Sequence, residues 1–393
     1  MTPEQQQKPG KTRNIILLGL VSFINDTSSK MILPILPLFI QQLGGAGLAV
    51  GLISGLGDSV ASLFKLFAGY WSDRAGKRKG FVFSGYLASS IAKFLFAFVV
   101  SWPYVLLLRI LERLGKGVRS APRDALLAAS TASGKRGRGF GIHRAMDSGG
   151  AVLGTLIAFA LIWYLNFGFT HIFFFAGIIG FISLLPLFFV SETYQPPKGR
   201  HTISWKALEP QLRVFILIAS IFAFANFSYM FFVLRSETAF SGKLAIGAPI
   251  LLYALYNLSY TVFAVPAGIL SDKIGRRLVL IMGYSLFGLV NIGFLFVSSV
   301  AAYIVLFTLY GLNYALVEAN ERAYVSDLAV ADRRGTALGT YHMATSFAAL
   351  PAGLIAGTLW DIHPNVTFTY GAVLAFVAAV LLIAAQKKLG AGV

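Results

Sequence analysis

The sequence predicts an all-α membrane protein with two six-helix halves, and three observations lead to this fold class. First, 56% of the 393 residues are hydrophobic and only 12% are charged, whereas soluble domains carry about 25% charged residues. Second, the apolar residues gather into runs near the ~20 residues that a helix needs to cross a bilayer. Third, a short polar motif occurs twice, 199 residues apart, which is about half of the chain.

The apolar runs number twelve, so both ends of the chain are expected on one side of the membrane. Lys and Arg residues gather in the tails and in the even-numbered loops, and this pattern places both termini in the cytoplasm. Topology thus accounts for the net charge of +17, and no nucleic-acid partner is expected. The first run, from Ile15, is too long for a cleavable signal peptide, and we expect it to direct insertion into the cytoplasmic (inner) membrane. The predicted spans are residues 14–41, 47–70, 80–101, 103–125, 140–164, 171–191, 211–235, 247–270, 278–299, 301–323, 337–360 and 366–386.

The two halves are expected at residues 1–191 and 211–393, joined by a polar linker at residues 192–210. The chain has no Cys, which excludes disulfides and thiolate metal sites. The five His residues show no metal-ligand spacing, and neither a P-loop nor a G-x-S-x-G motif is present. We therefore expect no enzyme activity, no cofactor and no metal.

The repeated motif lies at Gly69–Lys79 and Gly268–Arg277 and reads G-x-x-S-D-[RK]-x-G-[KR]-R. Its small residues allow two helices to approach closely, its Asp can accept hydrogen bonds at the start of the next helix, and its basic residues mark the cytoplasmic side. The pair resembles the loop signature of the major facilitator superfamily (MFS), the twelve-helix secondary transporters, in which this loop follows the second and the eighth helix. The segments Arg136–Gly141 and Arg334–Gly339 also match each other, at a spacing of 198 residues.

The resemblance implies two pseudo-symmetric halves around a central cavity, and it implies that the two loops form a cytoplasmic gate. In this interpretation Asp73 and Asp272 hold the cytoplasmic ends of the halves together while the cavity is open to the outside. The gate residues implied by the resemblance are Gly69, Asp73, Arg74, Gly76, Arg78, Gly268, Asp272, Gly275 and Arg276.

Ionisable residues within membrane spans are costly and by default indicate function. Asp26 lies about thirteen residues into the first span. Arg113–Gly117 resembles the superfamily's fourth-helix motif R-x-x-Q-G-x-G, although a Lys replaces the Gln and an Arg replaces the last Gly. In that family the first Arg is implicated in proton coupling through a nearby carboxylate. By this resemblance we expect Asp26, Glu112 and Arg113 to couple the protein's activity to protons.

A second set of polar and aromatic residues is expected to line the substrate cavity. The first half supplies mainly charged side chains, and the second half supplies aromatic side chains that would hold the body of a substrate; Tyr253 and Tyr256 are spaced like one helix face. The alternative is structural, because basic side chains can extend to the membrane interface and aromatic rings can simply pack. The set comprises Asn25, Lys30, Asp58, Lys93, Arg109, Asp147, Asn226, Tyr229, Tyr253, Tyr256, Asn257 and Glu318.

The expected function is proton-coupled secondary transport of a small organic molecule, with the protein as an exporter. Gly150–Ile157 resembles the start of the antiporter motif G-x-x-x-G-P, with Thr155 in place of the Pro, but such a sequence is also ordinary between closely packed membrane helices. Arg119–Asp124 resembles prokaryotic members often labelled efflux permeases. Two alternatives stay open: a carrier of an organic anion, favoured by the Lys and Arg residues in the spans, and a non-transporting receptor or scaffold. The expected partners are a small-molecule substrate, protons and the lipid bilayer, with the protein as a monomer.

Overall fold

The computed structural model of the protein describes residues 10–131, 136–192, 208–330 and 334–386, and throughout these ranges the regular elements are helices. The first half contains α1 (Gly10–Ile32), α2 (Leu36–Gln42), α3 (Gly47–Ala75), α4 (Lys79–Leu95), α5 (Trp102–Ala129), α6 (Arg136–Trp163), α7 (Phe169–Ile182) and α8 (Leu185–Phe188). The second half contains α9 (Pro210–Ala225), α10 (Tyr229–Glu237), α11 (Leu244–Ile274), α12 (Arg276–Phe296), α13 (Val300–Leu328), α14 (Arg334–Ile362) and α15 (Pro364–Ala384).

Eleven helical segments in the described ranges are long and apolar enough to cross a membrane. The predicted fourth span is not among them, because the corresponding helix, α5, carries charged side chains from Arg109 to Asp124. The 28 residues of α5 extend about 42 Å at 1.5 Å per residue, which exceeds the ~30 Å hydrocarbon core of a bilayer. By length, therefore, α5 can form the twelfth span.

The helices of the two halves follow one another with a nearly constant offset. The helices α3 and α11 begin at residues 47 and 244, α5 and α13 at residues 102 and 300, and α6 and α14 at residues 136 and 334. These offsets are 197, 198 and 198 residues. The repeat detected in the loop motifs thus extends over whole helices, as expected for a fold built from two repeats.

The chain divides into two compact units, and α3 is shared between them. The first unit comprises Met1–Leu36 and Val60–Gly199, and the second comprises Pro37–Ser59 and Arg200–Val393. The start of α3 therefore belongs to the second unit although it lies in the first half of the sequence.

Within the second unit, the start of α3 packs against α14 through glycines. A Cβ on Gly357 would lie 2.5 Å from the carbonyl oxygen of Gly47 and 2.9 Å from the Cα of Leu48, so this approach requires a residue without a side chain. The carboxylate of Asp361 then caps α3, because it accepts hydrogen bonds from the backbone N–H groups of Gly47 (2.6 Å) and Leu48 (2.9 Å). We call this contact the glycine seam; its glycines are Gly47, Gly51, Gly55, Gly353 and Gly357.

Two predicted spans are interrupted. The first breaks between α1 and α2, where Pro34 lies in the connecting turn, because a proline lacks the backbone N–H that would continue the helix. The seventh breaks between α9 and α10 without a proline. There the N–H of Asn226 donates to the carbonyl of Phe222 (2.9 Å) to end α9, and the Ser228 hydroxyl caps α10 by accepting from the N–H of Met230 (3.3 Å). The sequence did not predict this second break.

In the first unit, α1 and α6 also approach closely through glycines. A Cβ on Gly154 would lie 2.8 Å from the carbonyl carbon of Thr27, and a Cβ on Gly150 would lie 2.9 Å from that of Phe23. The Gly150–Gly154 pair therefore serves helix packing, which favours the structural interpretation of the sequence that resembles the antiporter motif.

Candidate functional site

The two loop motifs adopt the same local structure. In each, a helix ends just before a glycine with positive φ, which is +64° for Gly76 and +92° for Gly275; this conformation is easy only for glycine and commonly ends helices. The Ser hydroxyl of each motif donates to the carbonyl of the Gly three residues earlier, from Ser72 at 3.0 Å and from Ser271 at 2.8 Å.

The second motif is anchored to the end of α13 by an ion pair. The Arg276 guanidinium lies 3.2 Å from the Asp272 carboxylate and also contacts Asp327. It donates a further hydrogen bond to the Ser271 hydroxyl (3.2 Å). Asp272 therefore acts within its own unit, as one of two acids that share a single arginine.

The first motif is anchored differently. The carboxylate of Glu192 accepts hydrogen bonds from the backbone N–H groups of Arg78 and Lys79, the latter at 3.0 Å, so it caps the start of α4. The predicted gate residue Arg74 is exposed and donates to the Tyr70 hydroxyl at 3.5 Å. The side chain of Asp73 lies outside the part of the structure that is described.

The glycines that open the motifs differ in their surroundings. A Cβ on Gly69 would lie 3.3 Å from the Cβ of Ala121 on α5, whereas a Cβ on Gly268 would meet nothing within 4 Å. Close helix approach thus explains the first glycine but not the second.

Lys93 and Asp26 are linked in the first unit through Asn25. Lys93 is only 1% exposed, and its ammonium donates to the Asn25 side-chain oxygen (2.9 Å) and to the Ser29 hydroxyl (3.3 Å). The Asn25 amide in turn donates to the Asp26 carboxylate (3.2 Å). Three residues that the sequence assigned to coupling or to the cavity are therefore connected in one hydrogen-bonded chain.

Asp26 on α1 also meets Asp147 on α6. The two carboxyl groups are within hydrogen-bonding contact of each other. The Arg144 guanidinium lies 3.4 Å from the Asp147 carboxylate. The basic groups that face Asp26 are Lys116, Lys30 and Arg119. Lys116 and Arg119 are the two residues at which this sequence departs from the family's fourth-helix motif, so those departures place positive charge opposite the acid.

The predicted coupling pair on α5 forms a second buried cluster, which shares the neighbouring bases Lys93 and Lys116 with Asp26. Glu112, which is 5% exposed, lies 2.8 Å from the Arg109 guanidinium and 3.7 Å from that of Arg113. The structure thus brings Glu112 and Arg113 together, while the contacts of Asp26 are with Asn25 and Asp147.

A further polar cluster in the first unit was not predicted. The Ser22 hydroxyl lies 2.8 Å from the Nε2 of His143 and 3.2 Å from the Tyr86 hydroxyl, and Arg123 donates to it at 3.3 Å. The Arg119 guanidinium stacks on the Tyr86 ring, 4.3 Å from its centre, as in a cation–π interaction. We call Tyr86, Arg123 and His143, with Ser22 between them, the basic node.

The second unit contains a counterpart with an acid in place of Arg123. We call Glu321, Tyr284 and Tyr341 the acidic node. The Glu321 carboxylate accepts hydrogen bonds from the hydroxyls of Tyr284 (2.5 Å) and Tyr341. Phe222 stacks on Tyr284 with ring centres 4.0 Å apart. Adding 198 to the numbers 86, 123 and 143 gives 284, 321 and 341, so both nodes use the same three positions of the repeat.

The acidic node borders a cavity of about 230 Å³ in the second unit. Three carboxylates line it, and none of the described lining residues is basic. The predicted cavity residues Asp58, Asn226 and Glu318 lie in its wall. The predicted set omitted five other lining residues, Phe222, Asn313, Tyr314, Glu321 and Tyr341. Of these, Glu321 could have been found, because it is an ionisable residue within the predicted tenth span.

The predicted aromatic residues Tyr229, Tyr253 and Tyr256 pack against one another and against Tyr310. The rings of Tyr253 and Tyr229 are 4.9 Å apart, and the ring of Tyr256 is 4.7 Å from that of Tyr310. The Asn257 amide donates to the carbonyl of Tyr253 on its own helix (2.8 Å). These side chains are absent from the described lining of the cavity.

Two repeated six-helix halves, charged clusters on spanning helices and a polar cavity define a membrane transporter. The profile of the Major Facilitator Superfamily matches residues 18–250 and 216–390. The chain belongs to this superfamily, and it is a transporter rather than an enzyme.

Similar proteins agree with this assignment. A protein of Methanocaldococcus jannaschii described as an uncharacterized MFS-type transporter is 46% identical, covering 95% of this chain and 94% of its own length. The quinolone resistance protein NorA of Staphylococcus aureus is 24% identical, and the match covers 96% of this chain and 97% of NorA. Among solved structures, a mutant of the nucleoside transporter NupG matches with a TM-score of 0.81 at 14% identity, covering 94% of this chain and 99% of its own. A mutant of the peptide transporter POT matches with a TM-score of 0.79 at 14% identity, and the match covers 96% of this chain and 94% of the POT chain.

Proposed function

We propose that the protein is a proton-coupled exporter of small organic molecules in the cytoplasmic membrane, with both termini in the cytoplasm. The observation that carries this proposal is the contact between the Asp26 and Asp147 carboxyl groups. An ionised carboxylate only accepts hydrogen bonds, so a bond between two carboxyls needs a proton on one of them. The pair is therefore a ready proton-binding site within two spanning helices.

The surroundings support release of that proton as well as its binding. Two carboxylates side by side repel each other unless nearby cations compensate. Lys116, Lys30 and Arg119 face Asp26, and Arg144 contacts Asp147. Loss of the proton thus leaves two carboxylates among four basic groups, and the pair can alternate between two protonation states during a transport cycle.

Export is supported by relatives that are named for drug resistance. NorA is named for quinolone resistance. The multidrug resistance protein MdtG of Salmonella arizonae is 29% identical over about half of each chain, 53% of this chain and 52% of its own. In the proposed cycle, protons move inwards through the Asp26–Asp147 pair as the organic molecule moves outwards.

The test is proton flux in proteoliposomes with an acidic lumen and a trapped pH-sensitive dye. Norfloxacin (a quinolone), phenyltrimethylammonium and benzenesulfonate are each added outside, with protein-free liposomes as the background. We expect at least one compound to raise the lumenal pH, and we expect Asp26→Asn and Asp147→Asn to slow this response at least tenfold. Exchange of the same compound without a pH gradient should survive better in both variants.

The matched control is Glu237→Gln, which also removes one acid but lies at the end of α10, in the second unit, whereas the pair belongs to the first. It should respond like the wild type. A wild-type response that is absent for all three compounds, or that persists unchanged in both Asp variants, would overturn the proposal.

A further inference from the structure

We propose that the cavity of the second unit binds a neutral organic molecule that carries a ring and an amide edge. By an amide edge we mean a carbonyl oxygen and an N–H group side by side, as in a carboxamide or a lactam. This inference names the substrate class and rests on the proposed function only in taking the ligand to be the transported molecule. It differs from the organic-anion alternative, which was drawn from the basic residues of the first half.

The acids of the cavity wall are already engaged within the protein. The Glu321 carboxylate accepts hydrogen bonds from two tyrosine hydroxyls. The Arg322 guanidinium lies 2.9 Å from Glu318, and its charge also acts on Glu321. Asp58, the third acid, likewise interacts with other groups of the protein. A charged ligand would have to compete with these contacts after losing its water, whereas a neutral ligand loses much less on entering the cavity.

Neutral polar groups, by contrast, face the cavity with hydrogen-bonding capacity left over. Among the described residues, no protein group forms a hydrogen bond with the side-chain amide of Asn226 or with the Tyr314 hydroxyl. The Asn313 amide donates to the Gly283 carbonyl (2.7 Å), which leaves its side-chain oxygen as an acceptor. These three lining residues thus offer donors and acceptors together, without a formal charge.

The side-chain amide of Asn226 can recognise an amide edge by a pair of hydrogen bonds. Its NH₂ group donates and its oxygen accepts, and an amide edge answers with one acceptor and one donor. The backbone of Asn226 ends α9, while its side chain lies in the cavity wall. A carboxylate offers only acceptors and an amidinium offers only donors, so either ion would leave half of the Asn226 amide unpaired, which is costly.

The apolar part of the wall suits one small ring. Ala219 and Ala223 lie one turn apart on α9, and Val317 and Ala349 add two further small side chains. Phe222 supplies an aromatic ring beside them. A ring that rests on these side chains leaves water, which favours binding. A volume of about 230 Å³ accommodates a single ring with one amide group.

The experiment measures equilibrium binding to the purified full-length protein in detergent by titration calorimetry. Benzamide, benzoate and benzamidinium have nearly the same shape, but the first is neutral, the second is negative and the third is positive. We expect benzamide to bind at least tenfold more tightly than either ion, because only benzamide offers both a donor and an acceptor. A smaller preference, or no measurable binding of benzamide, would overturn the proposal.

Two further compounds test the parts of the ligand. Acetophenone keeps the ring and the carbonyl group of benzamide but lacks its N–H donors, and acetamide keeps the amide but lacks the ring. Both should bind more weakly than benzamide. Equal binding of acetophenone would overturn the amide edge, and equal binding of acetamide would overturn the ring.

Variants locate the site. Asn226→Leu keeps the approximate size of the side chain and should weaken benzamide binding at least tenfold. Tyr314→Phe removes only the hydroxyl and should weaken it about threefold. The matched control is Asn320→Leu, because Asn320 lies on α13 with Tyr314 but outside the described lining, and its amide donates to the Leu316 carbonyl of its own helix (2.9 Å). Should Asn226→Leu fail to fold, Tyr314→Phe still decides the outcome, and wild-type affinity in the cavity variants would refute the assignment.

This binding measurement needs no pH gradient, so its failure is distinct from failure of the proposed function. Benzamide binding without proton flux would remove proton-coupled export and leave the site assignment standing. Proton flux driven by a compound that does not compete with benzamide would keep proton-coupled export and overturn the substrate class.

Discussion

The glycine seam between α3 and α14 allows a sharp test of packing in the second unit. In Gly357→Ala, the new methyl group would lie 2.5 Å from the Gly47 carbonyl oxygen, 2.9 Å from the Leu48 Cα and 3.0 Å from the Gly47 carbonyl carbon. All three atoms belong to backbone, which cannot rotate away as a side chain can, so the helices must separate. Overpacking of this kind costs about 1–3 kcal/mol.

The same helix offers a matched control. A Cβ on Gly339 of α14 would meet nothing within 4 Å, and alanine favours a helix over glycine by up to about 1 kcal/mol. Gly339→Ala should therefore be neutral or stabilising. The two variants make the same chemical change on one helix, and only Gly357→Ala is expected to lower stability.

Thermal unfolding of the purified protein, followed by tryptophan fluorescence, measures the difference. Trp360 lies beside Gly47 at the seam, so its emission reports on this region. For a unit of roughly 200 residues the expected cost lowers Tm by roughly 2–12 °C in Gly357→Ala. A Gly357→Ala protein that melts within about 1 °C of the wild type, or equal destabilisation by both variants, would refute the packing argument.

Two further predictions concern the ends of helices. Asp361→Ala removes the cap on α3 and should lower the free energy of unfolding by about 0.5–2 kcal/mol, measured by the same fluorescence method; an unchanged Tm would show that water replaces the carboxylate without cost. Asp272→Asn removes an exposed ion pair with Arg276, so stability should change by less than about 1 kcal/mol. The initial rate of transport should nevertheless fall several-fold if the second loop motif acts as a gate, and a normal rate would count against that role.

The sequence predicted the features that depend on local chemistry. The repeated loop motif placed Gly76 and Gly275 at equivalent points, and both residues end a helix with positive φ. Twelve apolar runs predicted the order of the helices, including the charge-rich α5, because the hydropathy and the length of a run are read directly from the sequence.

Contacts between helices were harder to predict. Asp26 was identified as important, but its partner Asp147 lies 121 residues away, and spacing along one chain does not reveal which helices pack together. The run Gly47-x-x-x-Gly51-x-x-x-Gly55 was visible and indicates close packing, yet nothing in it names α14 as the partner. The break at Asn226 contains neither proline nor glycine, so it lacks the residues that usually announce an interruption.

The two nodes show that charges can be reversed between the halves without a change in the helices that carry them, since Arg123 and Asp124 correspond to Glu321 and Arg322. Tyr86 and Tyr284 are retained at the equivalent place, while Arg123 and Glu321 differ by two units of formal charge. The tyrosine hydroxyl tolerates both neighbours, because it can donate to a carboxylate and accept from a guanidinium. The repeat therefore keeps a tyrosine as a common hydrogen-bonding partner in each half, beside which the sequence can carry either sign of charge without a change in the helices around it.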